Sequence, residues 1–264
     1  MLEMLLSTWR YRFFIFSSIR NDFRSRFARS RLGALWMILQ PLAQVAIYAL
    51  VLSRVLSAKL PGINSEYAYV IYLLSGMLGW SLFVELVSRC LTIFVDNGNL
   101  LKKIVFPRIC LPLIMSGTAL INNFLLLLAT LGVFLAIGHH LSVEALWLLV
   151  LIPLTLAFSL GLGLILGTLN VFIRDISQVM NVVLQLWFWM TPVVYMPSIV
   201  PGRFGTIIDA NPMYWIVSSY QNVLLFQRSP DIRHLVMIGF VSLGLLLISL
   251  LLFRRSSAEM VDVL

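Results

Sequence analysis

The sequence predicts an all-α integral membrane protein. It has six transmembrane helices, an N-terminal amphipathic helix at the membrane interface, and re-entrant helices between spans five and six. Three observations predict this. Of the 264 residues, 60% are hydrophobic and 11% charged, against roughly 45–50% and about 25% in soluble domains. Uncharged runs long enough to cross a bilayer recur along the chain. The cationic residues gather beside those runs. One domain, residues 1–264, absorbs the whole length: a basic lead-in over 1–31, a bundle over 32–253 and a tail over 254–264.

The lead-in comes first. Leu2, Leu6, Trp9, Phe13 and Phe16 recur at three- and four-residue spacing, one face of a helix. With Arg10 and Arg12 beside that face, it reads as a helix lying in the membrane interface, or else as a cytoplasmic lead-in. A bend or a change of surroundings is expected near Ser17 and Ser18, because Arg20 and Arg24 continue the same face. The first residues lack a basic region followed by an apolar core and a small-residue site, which predicts no cleaved signal peptide.

Arg20, Arg24, Arg26, Arg29 and Arg31 then form a dense block, and 22 uncharged residues separate Arg31 from Arg54. As a helix these extend about 33 Å, enough for a hydrocarbon core of roughly 30 Å. This first span covers 32–53. The others are 67–88, with Glu85 near its end; from after Arg108 to 137; 145–173; 176–196; and 235–253. Helices are required because the backbone must satisfy its own hydrogen bonds in hydrocarbon. Pro41, Pro112, Pro153 and Pro192 mark possible kinks. Gly161, Gly163 and Gly167 allow close helix approach in the fourth span, inside the bundle or between two copies. Residues 197–231 are rich in Pro and Gly yet too apolar for a solvated loop. They read as two short helices dipping back into the membrane, joined at Asn211-Pro212, or as a cap on its surface.

Six spans put both termini on one side. With that side cytoplasmic, only Arg54, Lys59, Arg203, Arg228 and Arg233 of the 19 lysines and arginines lie outside. This bias sets both termini in the cytoplasm. The net charge of +8 is therefore assigned to a membrane surface and not to nucleic acid.

Motifs for catalysis are missing. There is no phosphate loop, since the stretch 161–168 lacks its lysine. Cys90 and Cys110 have no metal-like spacing and are expected to pack as small apolar groups. Glu85 is read as an i,i+4 partner of Arg89 in preference to a proton relay. His139 and His140 are read as solvated turn residues. Two cytoplasmic loops look like docking elements. A short helix over 99–105 would present Leu100, Leu101 and Ile104 beside Lys102 and Lys103, or the loop is an interfacial turn. Arg174-Asp175 is a second contact, or simply a helix start.

These residues resemble a known family. Arg29-Ser-Arg31-Leu32-Gly33-Ala34-Leu35-Trp36 with Pro41, Asn99-Leu-Leu-Lys-Lys-Ile-Val-Phe-Pro107, Phe172-Ile-Arg-Asp-Ile176 and Asn211-Pro212-Met213 are similar, in that order, to signatures of polysaccharide ABC-exporter permeases. The likeness covers essentially the whole chain and leans to the O-antigen branch, with capsule and teichoic-acid permeases nearby. It implies a half-transporter of the bacterial cytoplasmic membrane: a homodimer forming a channel, with two separate ABC ATPase subunits. This chain would then hold no cofactor, ATP and Mg belonging to the partner subunit. Asn99, Leu100, Leu101, Lys102, Lys103, Ile104 and Phe106 would be the first coupling helix, with Arg174 and Asp175 in the second contact.

The implied substrate is a glycan on a polyprenyl-pyrophosphate lipid. Its anionic end needs cations, and Arg20, Arg24, Arg26, Arg29 and Arg31 are the available cluster; topology and headgroup anchoring are their other reading. Sugars present CH faces and hydroxyls that aromatic rings with polar tips match. Tyr48, Trp187, Trp189, Tyr195, Tyr214 and Trp215 are candidates for the channel lining, or for an interface belt. The rival readings are a small-molecule exporter, a lipid-modifying enzyme and a secondary transporter. The enzyme needs clustered acids or histidines at a membrane face, which are not found; the secondary transporter needs charged or ion-binding groups at mid-membrane, and the sequence shows no internal repeat.

Overall fold

A computed structural model describes residues 11–27, 35–48, 67–98, 109–199, 202–256 and 259–260. Every regular element among them is helical. In chain order they are α1 (Arg12–Phe27), α2 (Trp36–Tyr48), α3 (Ala68–Asp96), α4 (Cys110–Ala136), α5 (Leu148–Phe172), α6 (Asp175–Met190), α7 (Gly202–Asp209), α8 (Pro212–Leu224) and α9 (Ile232–Ser256). Short 3-10 turns at Val143–Trp147 and Pro197–Ile199 precede α5 and α7.

Four helices are long and apolar enough to cross a membrane: α3, α4, α5 with its leading turn, and α9. They match the second, third, fourth and sixth expected spans. Helix α3 is longer than expected, because Glu85, Arg89 and Asp96 stay inside it. The first and fifth expected spans stand differently. Of 32–53, the 13 residues of α2 are described, about 20 Å of helix; the rest lies outside the described residues. The fifth was expected to reach residue 196, but α6 stops at Met190 after 16 residues. Pro192 is the cause. A residue before proline is pushed out of the α region, and Thr191 is extended at φ −105°, ψ 125°.

The chain after that stop is buried and not helical, so its carbonyls need donors. They find them on α3 and α8. The Tyr69 hydroxyl donates to the Val194 carbonyl at 2.5 Å, and Tyr72 to the carbonyls of Pro192 and Tyr195 at 3.0 and 2.8 Å. The Gln221 amide also donates to the Pro192 carbonyl, at 3.2 Å.

Helix α3 is the hub. It is 78% buried over its most apolar stretch, against 22% for α9. It packs against α5 most extensively, and against α2, α4, α6 and α8; α9 lies on the far side of α5. Glycines set these distances. A Cβ on Gly167 would strike the Cys90 carbonyl, and one on Gly163 would lie 2.7 Å from the Cys90 Cβ. On the other side, a Cβ on Gly161 would lie 2.7 Å from that of Leu245 in α9. The expected glycine packing is thus internal and meets Cys90; Cys90 and Cys110 are both buried free thiols. Leu243, Leu247, Ile248 and Leu251 leave α9 apolar outward, as lipid contact requires.

Helix α1 runs unbroken through Ser17 and Ser18, where a bend or a change of surroundings was expected. What changes along it is its surroundings. Phe13 and Phe16 are 73% and 70% exposed, whereas Ile19 sits over Gly117 of α4. Residues 1–10, the first half of the expected amphipathic face, lie outside the described residues.

Candidate functional site

Where α1 crosses the bundle, α3 carries a buried cation. The Arg89 side chain is 10% exposed in an apolar setting, so it needs acidic partners. Its guanidinium lies 2.9 Å from the Asp22 carboxylate and 3.6 Å from that of Glu85, and donates to the Met115 carbonyl at 3.2 Å. The Asn122 amide of α4 donates to Glu85. The expected Glu85–Arg89 pair is present, but it is part of a network joining α1, α3 and α4. Asp22 was missed. Its signal was there: it is the sole acid within the arginine block over 20–31.

Two cavities border this network, and a third shares Gln44, Trp80, Val84 and Ser88 with the first of them. One of about 550 Å³ lies between α2, α3 and α4, with Gln40, Gln44, Trp80, Glu85, Asn122 and Asn123 on its wall. One of about 660 Å³ lies between α1, α3 and α4, with Ser18, Asp22, Arg89 and Asn97. Another of about 660 Å³ lies between α2, α3 and α6, with Gln44, Trp80, Asn181, Gln185 and Trp189. Polar groups this dense inside a membrane bundle mark a hydrated or ligand-bearing region.

The expected aromatic candidates take different places. The Trp187 ring packs edge-on to Phe83, and its indole N–H donates to the Asn211 side-chain oxygen at 2.8 Å. Trp189 is 59% exposed, and the Tyr195 hydroxyl donates to its carbonyl at 2.8 Å. Tyr214 and Trp215 contact each other at 4.7 Å, and Trp215 stacks on His234 at 3.4 Å between ring centroids. His234 in turn holds Asp231 through a 2.8 Å bond that keeps this carboxyl below the ordinary carboxylate range. Tyr48 ends α2, and its side chain lies outside the described set.

Asn211 does more than end a segment. It is the N-cap of α8, accepting from the Met213 N–H at 3.0 Å with Pro212 in the first turn. Its amide donates to the Thr191 hydroxyl at 2.9 Å, so one side chain ties α8 to the end of α6.

The remaining expectations concern one end of the bundle. Arg174 and Asp175 are exposed at the start of α6. Asn170, which sequence reasoning passed over, fixes this turn. Its amide donates to the Leu91 carbonyl at 2.8 Å, and its oxygen accepts from the Ser177 N–H at 2.9 Å. Phe253 of α9 stacks on Phe94 at 5.3 Å. The ends of α3, α5 and α9 therefore meet, and the Asp22–Arg89 pair brings α1 to the same half. Arg20 is exposed on α1; Arg24 and Arg26 lie in α1, their side chains outside the described set. Arg29, Arg31 and the loop Asn99, Leu100, Leu101, Lys102, Lys103, Ile104 and Phe106 lie outside the described residues. At the opposite end the solvated-turn expectation fails for His139. Its Nε2 is 2.8 Å from the Leu224 carbonyl, and its ring packs on Phe134.

The described residues form an all-helical bundle, four of whose helices are long and apolar enough to cross a membrane, with a charged network under an N-terminal helix. The ABC-2 type transporter family matches residues 14–225, and the chain belongs to that family. It is 28% identical over 249 residues to the O-antigen export system permease protein RfbA of Klebsiella pneumoniae, covering 92% of each chain. It is 28% identical over 268 residues to the protein of that name from Myxococcus xanthus, covering 99% of each. It is 24% identical over 250 residues to the polysialic acid transport protein KpsM of Escherichia coli, covering 91% of this chain and 92% of that one.

Proposed function

We propose that this chain is the membrane subunit of a polysaccharide exporter. It moves a polyprenyl-pyrophosphate-linked glycan, an O-antigen, across the bacterial cytoplasmic membrane, with both of its termini in the cytoplasm. Two copies form the channel, and two separate ATPase subunits holding ATP and Mg drive it. The observation that carries this reading is the end-to-end correspondence with a permease named for O-antigen export. A capsular polysaccharide is the second reading, favoured by the match to a polysialic acid transporter.

In this reading the end of the bundle that gathers α1, the α3–α4 loop and the α5–α6 turn faces the ATPases. Nucleotide-driven closure of the partners pushes on the loop over 99–106 and on Arg174-Asp175, and the helices move as rigid bodies. The five arginines from Arg20 to Arg31 attract the pyrophosphate, for which guanidinium geometry is suited. The segment from α7 to α8 forms the re-entrant pair at the outer mouth. Tyr48, Trp187, Trp189, Tyr195, Tyr214 and Trp215 offer ring faces to sugars.

The docking loop supplies the test. Leu101→Asp places a charge on an apolar docking face. Co-purification of the ATPase should fall at least tenfold, while the permease keeps its melting temperature. Retention of the ATPase at wild-type levels would remove this loop from the docking surface.

A further inference from the structure

The turn between α5 and α6 is held from two sides by one buried side chain. Only Ile173 and Arg174 separate the two helices, and Arg174 at the N-cap makes no side-chain capping bond. The first-turn N–H groups of α6 therefore need acceptors from elsewhere. Asn170 supplies one: its side-chain oxygen accepts from the Ser177 N–H at 2.9 Å. The amide nitrogen of the same side chain donates to the Leu91 carbonyl of α3 at 2.8 Å. Asn170 is 3% exposed, so both bonds are shielded from water.

This bridge sits where α3 and α5 have no room to slide. Gly163, Gly167 and Asn170 follow one another at helical spacing along one stripe of α5, and both glycines meet Cys90 of α3. Contacts this close transmit displacement instead of absorbing it. On the outer side of the bridge, Phe172 and Ile173 are exposed beside Arg174 and Asp175. On the inner side, Arg89 stands two residues before Leu91 and holds Asp22 of α1. One turn of α3 is thus bonded both to the α5–α6 turn and to α1. We propose that Asn170 is a positioning residue that carries movement of the α5–α6 turn into α3. The proposal rests on the reading of that turn as an ATPase contact. It adds the group that passes the motion on and the segment of α3 that receives it.

The test uses the full complex with its ATPase, with and without ATP, Mg and vanadate. Ser88→Cys reports on α3, because Ser88 borders all three cavities while the native Cys90 and Cys110 are buried. Its rate of labelling by a small charged methanethiosulfonate should change at least threefold when nucleotide is trapped. Asn170→Ala, added to Ser88→Cys, should cut that change to less than half in complexes that still hold the ATPase. Phe158→Leu, buried in α5 away from the turn, is the stability control: it should lower the melting temperature and keep the threefold change. Equal labelling with and without nucleotide in Ser88→Cys alone overturns the proposal, and this arm does not depend on Asn170→Ala folding. A full change retained in Asn170→Ala overturns it too, as does a change lost equally in Phe158→Leu. Loss of the ATPase from Asn170→Ala but not from Phe158→Leu assigns Asn170 to docking and overturns its role in transmission. A wild-type chain that holds no ATPase fails the function on which the proposal rests; every other negative result fails Asn170 alone.

Discussion

Single side chains in this bundle hold several elements at once, and their loss has calculable consequences. Asn211 caps α8, accepts from Trp187 and donates to Thr191. Asn211→Ala removes the cap and orphans the Trp187 N–H, costing roughly 2–3 kcal/mol. Thermal unfolding in detergent checks this, and Asn211→Ser should recover about 1 kcal/mol by restoring a capping oxygen. Gly167 faces the Cys90 backbone, which cannot rotate away as a side chain would. Gly167→Leu should force α3 and α5 apart at a cost of roughly 3 kcal/mol, seen as a lower melting temperature; an unchanged one would contradict the packing. The role of Gly167 was legible in the sequence, because small residues four apart have a known use in membranes. The role of Asn170 was not. A lone polar residue at a helix end looks the same whether it meets solvent or, as here, the Leu91 carbonyl.

Among the elements, uncharged run length located α4, α5 and α9 to within a few residues, since lipid demands a fixed apolar length. It failed where tertiary partners changed the rule. Helix α3 continues past its charges because Arg89 is paired with Asp22 and Glu85. Helix α6 ends early because Pro192 cannot continue it and tyrosines on α3 can satisfy the exposed carbonyls. Helix α1 needed no break at its serines, because one helix can lie with Phe13 and Phe16 outward and Asp22 and Ile19 inward. That double use makes α1 a lever on α3. Asp22→Asn and Arg89→Gln should each loosen α1, raising proteolysis between residues 11 and 27 about fivefold. The double variant should fall short of the sum of the two single effects, because the two share a contact.

For the whole molecule, the described residues bring α1, the last turns of α3, the α5–α6 turn and the end of α9 together in one half. The charge bias of the sequence had already put these segments on one side of the membrane. The long-range pairs that assemble this half, Asp22 with Arg89 and Phe94 with Phe253, were invisible in a linear reading. A transporter needs this polarity, with a driven face at one end and an outlet at the other. The most direct measurement is the location of the glycan. In a host making its own lipid-linked glycan, removal of this chain should leave the polymer inside the cytoplasmic membrane, inaccessible until the cells are lysed. Restoring the wild-type chain should return it to the outside. Glycan appearing outside at an undiminished rate without this chain would contradict its role as the export subunit.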